Sequence, residues 1–357
     1  MTSNQSLEGI TVIDCSQILA GPFCSMLLAD HGARVIKVEK PNGGDDVRFW
    51  GPPFIGDDSS AFVQLNRNKE SISLDIKEEE GKKILTKLIK KSDVLIENSR
   101  VGTMEKLGFG YEDVKKINSK IIYCSITGFG TDGPYAKRGG FDLIAQGMSG
   151  LMSITGHPDS PPAKVGVPIA DLNTGMFAMQ GILSAYIHRL KNNEGQNLEV
   201  SLLESALAYT MYESSIFFTT GRISSPDGSA HRLTAPYQAF KTKDGYINIG
   251  AANQSNWERL LGVLNLENLK DDPEFIDSKS RQINRKKLEN ILEVIFITKS
   301  SKEWIDILIK NSIPSGPIYN MKEVWDDEQV KSRNMDVRID HPKQKNSRNI
   351  GVAVKLG

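Results

Sequence analysis

The chain is poor in the residues that would commit it to a metal, a disulfide framework or a polyanion. It has three cysteines, Cys15, Cys24 and Cys124, with no CxxC spacing. They cannot build a disulfide framework, and reduced, partly buried thiols are expected. Five histidines, His31, His157, His188, His231 and His341, are scattered without an HExxH or His/Cys cluster, so no metal site is expected. Lys+Arg and Asp+Glu both number 44, which leaves no basic excess to neutralise a nucleic acid. A local basic patch for a nucleotide-like ligand is still allowed. No apolar run approaches the roughly 20 residues of a membrane helix. Residues 1–8, MTSNQSLE, carry neither a basic n-region nor an apolar h-region, so no secretory signal is expected. A cytoplasmic, metal-free enzyme or binding protein fits these absences.

What is present is an ordinary globular composition, 39% hydrophobic and 25% charged over 357 residues. That is enough for two domains or one large one. ITVIDCS (10–16) reads as a strand, followed by the loop QILAGP, an apolar helix ending near Gly32, and a second strand at 33–39. A strand–helix–strand of this length implies a parallel pair. Strands are predicted again at 71–76, 93–98 and 120–128, with an amphipathic helix over 78–92 whose apolar face holds Ile84, Leu85, Leu88 and Ile89. This alternation predicts a doubly wound α/β domain. A long helix is expected over 171–192, capped by Asp171 or Asn173, and another over 202–218. Residues 220–236 read as a linker, 239–251 as a hairpin turning at Lys243-Asp244-Gly245, and 255–310 as charged helices. The expected domains are 1–200 for the first part of the large domain, 201–235 for linker helices, 236–320 for a smaller α+β domain and 321–357 for a return to the first.

GFGTDG (128–133) matches a dinucleotide fingerprint and follows a strand, but Pro134 and AKRGG follow it instead of a helix. No acidic residue lies about 20 positions on to hold a ribose. A turn or ligand-lining loop is the better reading. Asp171, in GVPIADLNTGM (166–176), reads first as a helix N-cap, since aspartate caps helices well. The same place would set a carboxylate beside unpaired N–H groups that can hold an oxyanion. Gly175, one turn on, leaves room for a ligand or for close helix packing. Lys37, Lys40, Arg48, Arg67, Lys69 and Lys77 are dispersed, and spacing does not say which of them would meet a phosphate.

Several ordered segments, however, resemble the class III CoA-transferases. They are LAGPFCSMLLADHGARVIKVEKPNGGDDVR (19–48), NRNKESISLDIK (66–77), DVLIENSRVGTMEKLGFGYED (93–113), SITGFGTDGP (125–134) and the Asp171 segment. GGDDVRFWGPPFIG (43–56) and PYQAFKTKDGYINIGAANQ (236–254) resemble the branch that handles dicarboxylic acids. The resemblance covers essentially the whole chain. It implies a Rossmann-like large domain, a small α+β domain, long linkers and an interlocked homodimer. It implies acyl-CoA and a carboxylic acid as substrates, with no tightly bound cofactor, no metal, no nucleic acid and no membrane partner. By position, Asp171 matches the nucleophile. Leu19, Ala20, Lys40, Leu74, Lys77, Asn98, Ser99, Arg100 and Lys106 match CoA-binding positions, and Arg138 and Gly250 are candidates on the acid side. Arg222, His231 and Arg232 are further candidates for a distal carboxylate.

Two departures bear on activity. The family's glycine-run loop has no counterpart, so the intermediate is expected to be shielded by residues near Gly250. The chain stops at GVAVKLG (351–357), ahead of a PPLGEHT-like segment usual in the family, which keeps a non-catalytic CoA-binding homologue as an alternative. An acyl-CoA racemase is the other alternative. It needs an acid/base pair, and the position filled by histidine in racemases is Phe141 here, in GGFD.

Overall fold

The structure is a computed structural model that describes residues 5–356. The chain divides into two compact units: residues 1–153, 163–224 and 334–357, and residues 154–162 and 225–333.

The larger unit begins with β1 (Thr11–Asp14), α1 (Ala20–Asp30) and β2 (Arg34–Glu39). A short hairpin, β3 (Phe54–Ile55) and β4 (Asp58–Ser59), leads into α2 (Ser60–Leu65). Then come β5 (Lys69–Ser73), α3 (Glu79–Ile89), β6 (Val94–Glu97), α4 (Thr103–Leu107), α5 (Tyr111–Ile117) and β7 (Ile122–Thr127). Next are α6 (Asp142–Met148), α7 (Leu151–Ile154), the 24-residue α8 (Ile169–Asn192), β8 (Gln196–Ser201), α9 (Leu202–Leu207) and α10 (Met211–Thr220).

Six of these strands form one sheet in the order β5-β2-β1-β6-β7-β8, and every pairing in it is parallel. The central strands are buried runs of β-branched and apolar residues, as sheets covered on both faces require. Ile13, Ile36 and Leu95 turn to the face covered by Leu85 and Ile89 of α3. Asp14 turns to the opposite face and meets Ser25 of α1. The order runs outward from β1 in one direction through β2 and β5, and in the other through β6, β7 and β8. The direction in which successive strands are added therefore reverses at β1/β6, which is where open parallel sheets bind ligands, beyond the strands' carboxyl ends.

The second unit holds β9 (Tyr237–Lys241), β10 (Tyr246–Gly250), α11 (Gln254–Leu264), α12 (Ser278–Ile283), α13 (Arg285–Phe296), α14 (Ser301–Lys310), β11 (Ser315–Pro317), α15 (Met321–Asp326) and α16 (Glu328–Ser332). Its three-stranded sheet, order β11-β10-β9, packs on a core that includes Phe240, Trp257, Leu292, Phe296 and Trp304. The chain rejoins the larger unit at Asn334 and ends in a hairpin of β12 (Asp336–His341) and β13 (Gln344–Ile350).

Several expected boundaries differ in the structure. The long helix starts at Ile169, with Pro168 at its N-cap, so neither Asp171 nor Asn173 is the cap. Pro168 cannot continue a helix backwards, and another residue satisfies the first turn. The helix expected over 202–218 is two helices, broken at residues 208–210. The strand expected at 71–76 lies at 69–73. Of the 201–235 stretch expected as linker helices, residues 201–224 group with the larger unit; of the 321–357 stretch expected to return to that unit, residues 321–333 group with the smaller one.

Candidate active site

The loop Ser16–Leu19, between β1 and α1, is clamped at Ser16, Gln17 and Ile18. Lys37 Nζ donates to the Ser16 carbonyl at 2.8 Å, and the Ser16 N–H donates to Asp14 Oδ1 at 3.0 Å. Asn98 holds both backbone groups of Gln17: its Oδ1 accepts from the Gln17 N–H at 2.9 Å and its Nδ2 donates to the Gln17 carbonyl at 2.7 Å. The Ile18 N–H donates to both carboxylate oxygens of Asp45, at 3.1 and 3.2 Å. Ile18 has φ +70°, a left-handed conformation that a β-branched residue adopts only when its surroundings impose it.

The clamp rests on buried charge. Lys37 pairs with Asp45 at 3.0 Å, and Lys69 pairs with Asp14 at 3.3 Å, all four side chains within 2% of full burial. Burial works to raise the Asp14 carboxyl, but Lys37, Lys69 and the hydroxyls of Ser16 and Ser25 outweigh it and hold it at about 2. Burial pushes the Lys69 ammonium down to about 8. Both stay charged at neutral pH. Beside them Glu39 takes a bidentate pair from Arg48 and a bond from Ser71.

This loop contributes to the lining of two cavities. A groove of about 530 Å³ opens at the carboxyl ends of β1, β2, β5 and β6, and its lining includes Gln17, Lys40, Leu74, Lys77, Asn98 and Ser99. An apolar cavity of about 420 Å³ is walled by Ile18, Leu19, Phe23, Trp50, Leu172 and Met335, among others. Leu172 belongs to the first turn of α8, so the loop that lines the groove reaches the turn that carries Asp171. Gly175 permits this approach: a Cβ there would sit 2.7 Å from the Ala20 carbonyl and 2.9 Å from Phe23.

Asp171 is half-buried, and no described side chain or backbone group bonds its carboxylate. Burial, and then the charge of Asp142, push its carboxyl up to about 7. Asp142 in turn accepts from the Ala170 N–H at 2.9 Å and from Gln146 Nε2 at 2.7 Å.

The sequence-predicted residues distribute as follows. Lys40, Leu74, Lys77, Asn98 and Ser99 line one groove, while Leu19 lines the apolar cavity and Ala20 is buried at the start of α1. Lys40 is exposed and paired with Asp46. Arg100 and Lys106 are exposed and flank the groove in sequence, beside Ser99 and Leu107. Arg138 is exposed and lies over the rings of Tyr135 and Phe129, at 4.6 and 5.3 Å. Arg222 lies in the larger unit, whereas His231, Arg232 and Gly250 lie in the smaller one. There Gly250 lines a cavity of about 500 Å³ with Tyr237, Asn248 and Pro314. GFGTDG is a loop without a following helix, tied by the Gly130 N–H to Thr127 Oγ1 at 2.9 Å. Among the described residues no group of His, Cys, Asp and Glu is arranged to hold a metal, and no helix is long and apolar enough to cross a membrane.

Comparison with known proteins meets this geometry at one family. The model of CoA-transferase family III matches residues 7–357. The chain belongs to CoA-transferase family III. A succinyl-CoA:glutarate CoA-transferase from Mus musculus is 41% identical over 340 residues, covering 95% of this chain and 78% of that protein. A succinate–glutarate CoA-transferase from Agrobacterium fabrum is 38% identical over 340 residues, covering 94% and 85%. A crystal structure of a CAIB/BAIF family protein from Brucella suis aligns with a TM-score of 0.86 at 38% identity, over 99% of this chain and 93% of that one. The mixed α/β fold and the CoA-transferase class expected from the sequence both stand.

Sequence reasoning missed the transferase's Asp45, Asp142 and Gln146. Asp45 carried one legible signal, an aspartate in a Gly-Gly-Asp-Asp turn after a strand. Asp142 and Gln146 had only i,i+4 spacing, and nothing in the sequence joins position 142 to position 170.

Proposed function

We propose that this CoA-transferase moves CoA from an acyl-CoA donor to a dicarboxylic acid, with Asp171 as the covalent nucleophile. The observation that carries the reading is a carboxylate in the first turn of α8 that is half-buried, unbonded and raised to about 7. A carboxylate deprived of water and of donors is more basic, and so a stronger nucleophile once ionised.

Asp171 attacks the thioester carbonyl of the donor, and the C–S bond breaks to release CoA thiolate and leave a mixed anhydride. The thiolate attacks the aspartyl carbonyl, which expels the donor acid and forms an aspartyl thioester. The acceptor carboxylate attacks that thioester and releases the thiolate again. The thiolate then takes the acceptor's acyl carbon and regenerates the Asp171 carboxylate. Each step exchanges acyl derivatives of carboxylic acids, which lie close in energy, so no general base is needed. Anhydrides hydrolyse, so water must be kept out.

The groove beyond the strand ends supports CoA binding, with Lys40, Lys77, Ser99, Arg100 and Lys106 offered to its phosphates and Leu74 to its adenine. Leu19 and Ala20 lie toward Asp171. Asn98 we assign to holding Gln17. Succinate and glutarate are the acids we assign, on the activities of the succinyl-CoA:glutarate and succinate–glutarate CoA-transferases that the chain resembles. Arg138 belongs to the same proposal on the acid side, as does a cytoplasmic homodimer. Phe141, 65% exposed at the N-cap of α6, cannot shuttle a proton, which disfavours the racemase.

The test is incubation with succinyl-CoA followed by peptide mass spectrometry. An adduct on the Asp171 peptide is expected, and Asp171→Ala is expected to bring transfer to glutarate below detection while remaining folded. Normal turnover by that variant overturns the reading.

A further inference from the structure

We propose that Asp142 is a positioning residue for the transfer reaction: from α6 it caps the start of α8 in trans and so leaves the Asp171 carboxylate free and aimed. This rests on Asp171 being the nucleophile.

A helix leaves its first N–H groups without partners, and they are normally met by a side chain just before the first turn. Here that place is Pro168, which has nothing to offer and makes no cap bond. Asp171, the third residue of α8, is of a type that folds back onto such N–H groups. A carboxylate spent that way would be a weaker nucleophile. The structure avoids the competition. Asp142 Oδ1 takes the Ala170 N–H at 2.9 Å.

Asp142 is itself fixed. Its Oδ2 accepts from Gln146 Nε2 at 2.7 Å, and Gln146, fully buried, accepts from the Val165 N–H through Oε1 at 2.9 Å. The two side chains, one helical turn apart on α6, thus hold both ends of the Val165–Ala170 segment that leads into α8. The point at which α8 begins, and with it the direction of Asp171, is set by α6.

Of the charged groups on the elements packed against this turn, Asp142 is the one that shifts the Asp171 carboxyl. From α1 come the Ala20 carbonyl, the Phe23 ring and the Cys24 backbone, and burial keeps the Cys24 thiol neutral. From α9, the Ser205 carbonyl accepts from Asn173 Nδ2 at 2.7 Å, while Glu204 is engaged by the Ser201 hydroxyl. Asp142 is therefore the charged neighbour of Asp171, and its negative charge adds to burial in raising that carboxyl. Cap and electrostatic neighbour are one residue.

The test uses Asp142→Ala and Asp142→Asn in the full chain, with kcat and KM for succinyl-CoA and glutarate measured from about pH 5.5 to 9. Asp142→Ala loses the cap. Its kcat is expected to fall about tenfold or more, with the KM for succinyl-CoA little changed, because orientation and not binding is lost. Asp142→Asn keeps an oxygen for Ala170 but removes the charge, and with it the bond from Gln146 Nε2, which would face the new amide NH2. Ionised Asp171 is the active form, so its acid limb in kcat/KM is expected to move down by about one pH unit. A purely structural residue would not move that limb. Wild-type kcat in Asp142→Ala, or an unmoved limb in Asp142→Asn, overturns the proposal. If Asp142→Ala fails to fold, the limb in Asp142→Asn decides alone. Wild-type behaviour of both variants alongside an intact Asp171 adduct defeats the positioning role only. Absence of the adduct together with turnover by Asp171→Ala defeats the nucleophile itself.

Discussion

Asn98 spends both ends of its amide on the backbone of one residue, Gln17, 81 positions earlier in the chain. That assigns it a role its place in a CoA-binding motif does not reveal. It keeps the loop that lines the groove in a conformation Ile18 would otherwise abandon. Two hydrogen bonds of this kind contribute about 1–3 kcal/mol. Asn98→Ala is therefore expected to raise the KM for succinyl-CoA about tenfold, with a smaller effect on kcat, in steady-state assays. The same distinction separates Asp171 from Asp142. The residue types at 171 and beyond read as a helix start, and a cap was the natural inference. In the folded chain the cap is Asp142, and Asp171 is left unbonded. A reading based on local pattern assigns a carboxylate to the nearest orphan N–H groups. It has no means of knowing that a carboxylate 28 residues away has taken one of them.

At the scale of elements, the parallel sheet was readable because its central strands are continuous apolar runs with helical spacing between them. β8 was not readable. Gln196–Ser201 is polar and only partly buried at the sheet edge, so its pairing with β7 comes from the ladder and not from its side chains. The close contact of α8 with α1 depends on Gly175, where a methyl group would meet the Ala20 carbonyl, Phe23 and the Cys24 backbone inside 3.4 Å. Overpacking of that kind costs about 1–3 kcal/mol. Gly175→Ala is expected to lower the melting temperature by a few degrees and to reduce kcat, because the displaced turn carries Asp171. Differential scanning calorimetry and transfer assays on the same preparation check both. An unchanged kcat would mean that α8 absorbs the methyl without moving its first turn.

For the whole molecule, the buried carboxylates set opposing dependences on pH. Burial alone would raise Glu39, but Arg48, Ser71 and the Asp45 N–H outweigh it and bring it to about 2, where Asp14 also lies. Their contribution is complete above the ordinary carboxylate range near 4 and is lost as pH falls toward 2. Asp171 is opposite in sign. Raised to about 7, it binds its proton more tightly folded than unfolded, so its ionisation lowers stability as pH rises from about 4 to 7. Asp171→Asn is expected to melt above the wild type at pH 8, the gap closing by about pH 4. Glu39→Gln is expected to melt below it at neutral pH, that gap closing toward pH 2. Melting temperatures across the range test both signs. Composition and periodicity determined that this chain makes a parallel α/β sheet and a separate α+β unit, because apolar spacing is a local property of the chain. The ordered motifs carried the family and the expectation that Asp171 is the nucleophile. Only the tertiary structure decided where α8 begins, which carboxylate caps it and which side chains hold the Ser16–Leu19 loop. Those outcomes depend on hydrogen bonds between residues tens of positions apart, and such bonds form once packing has excluded water from both partners.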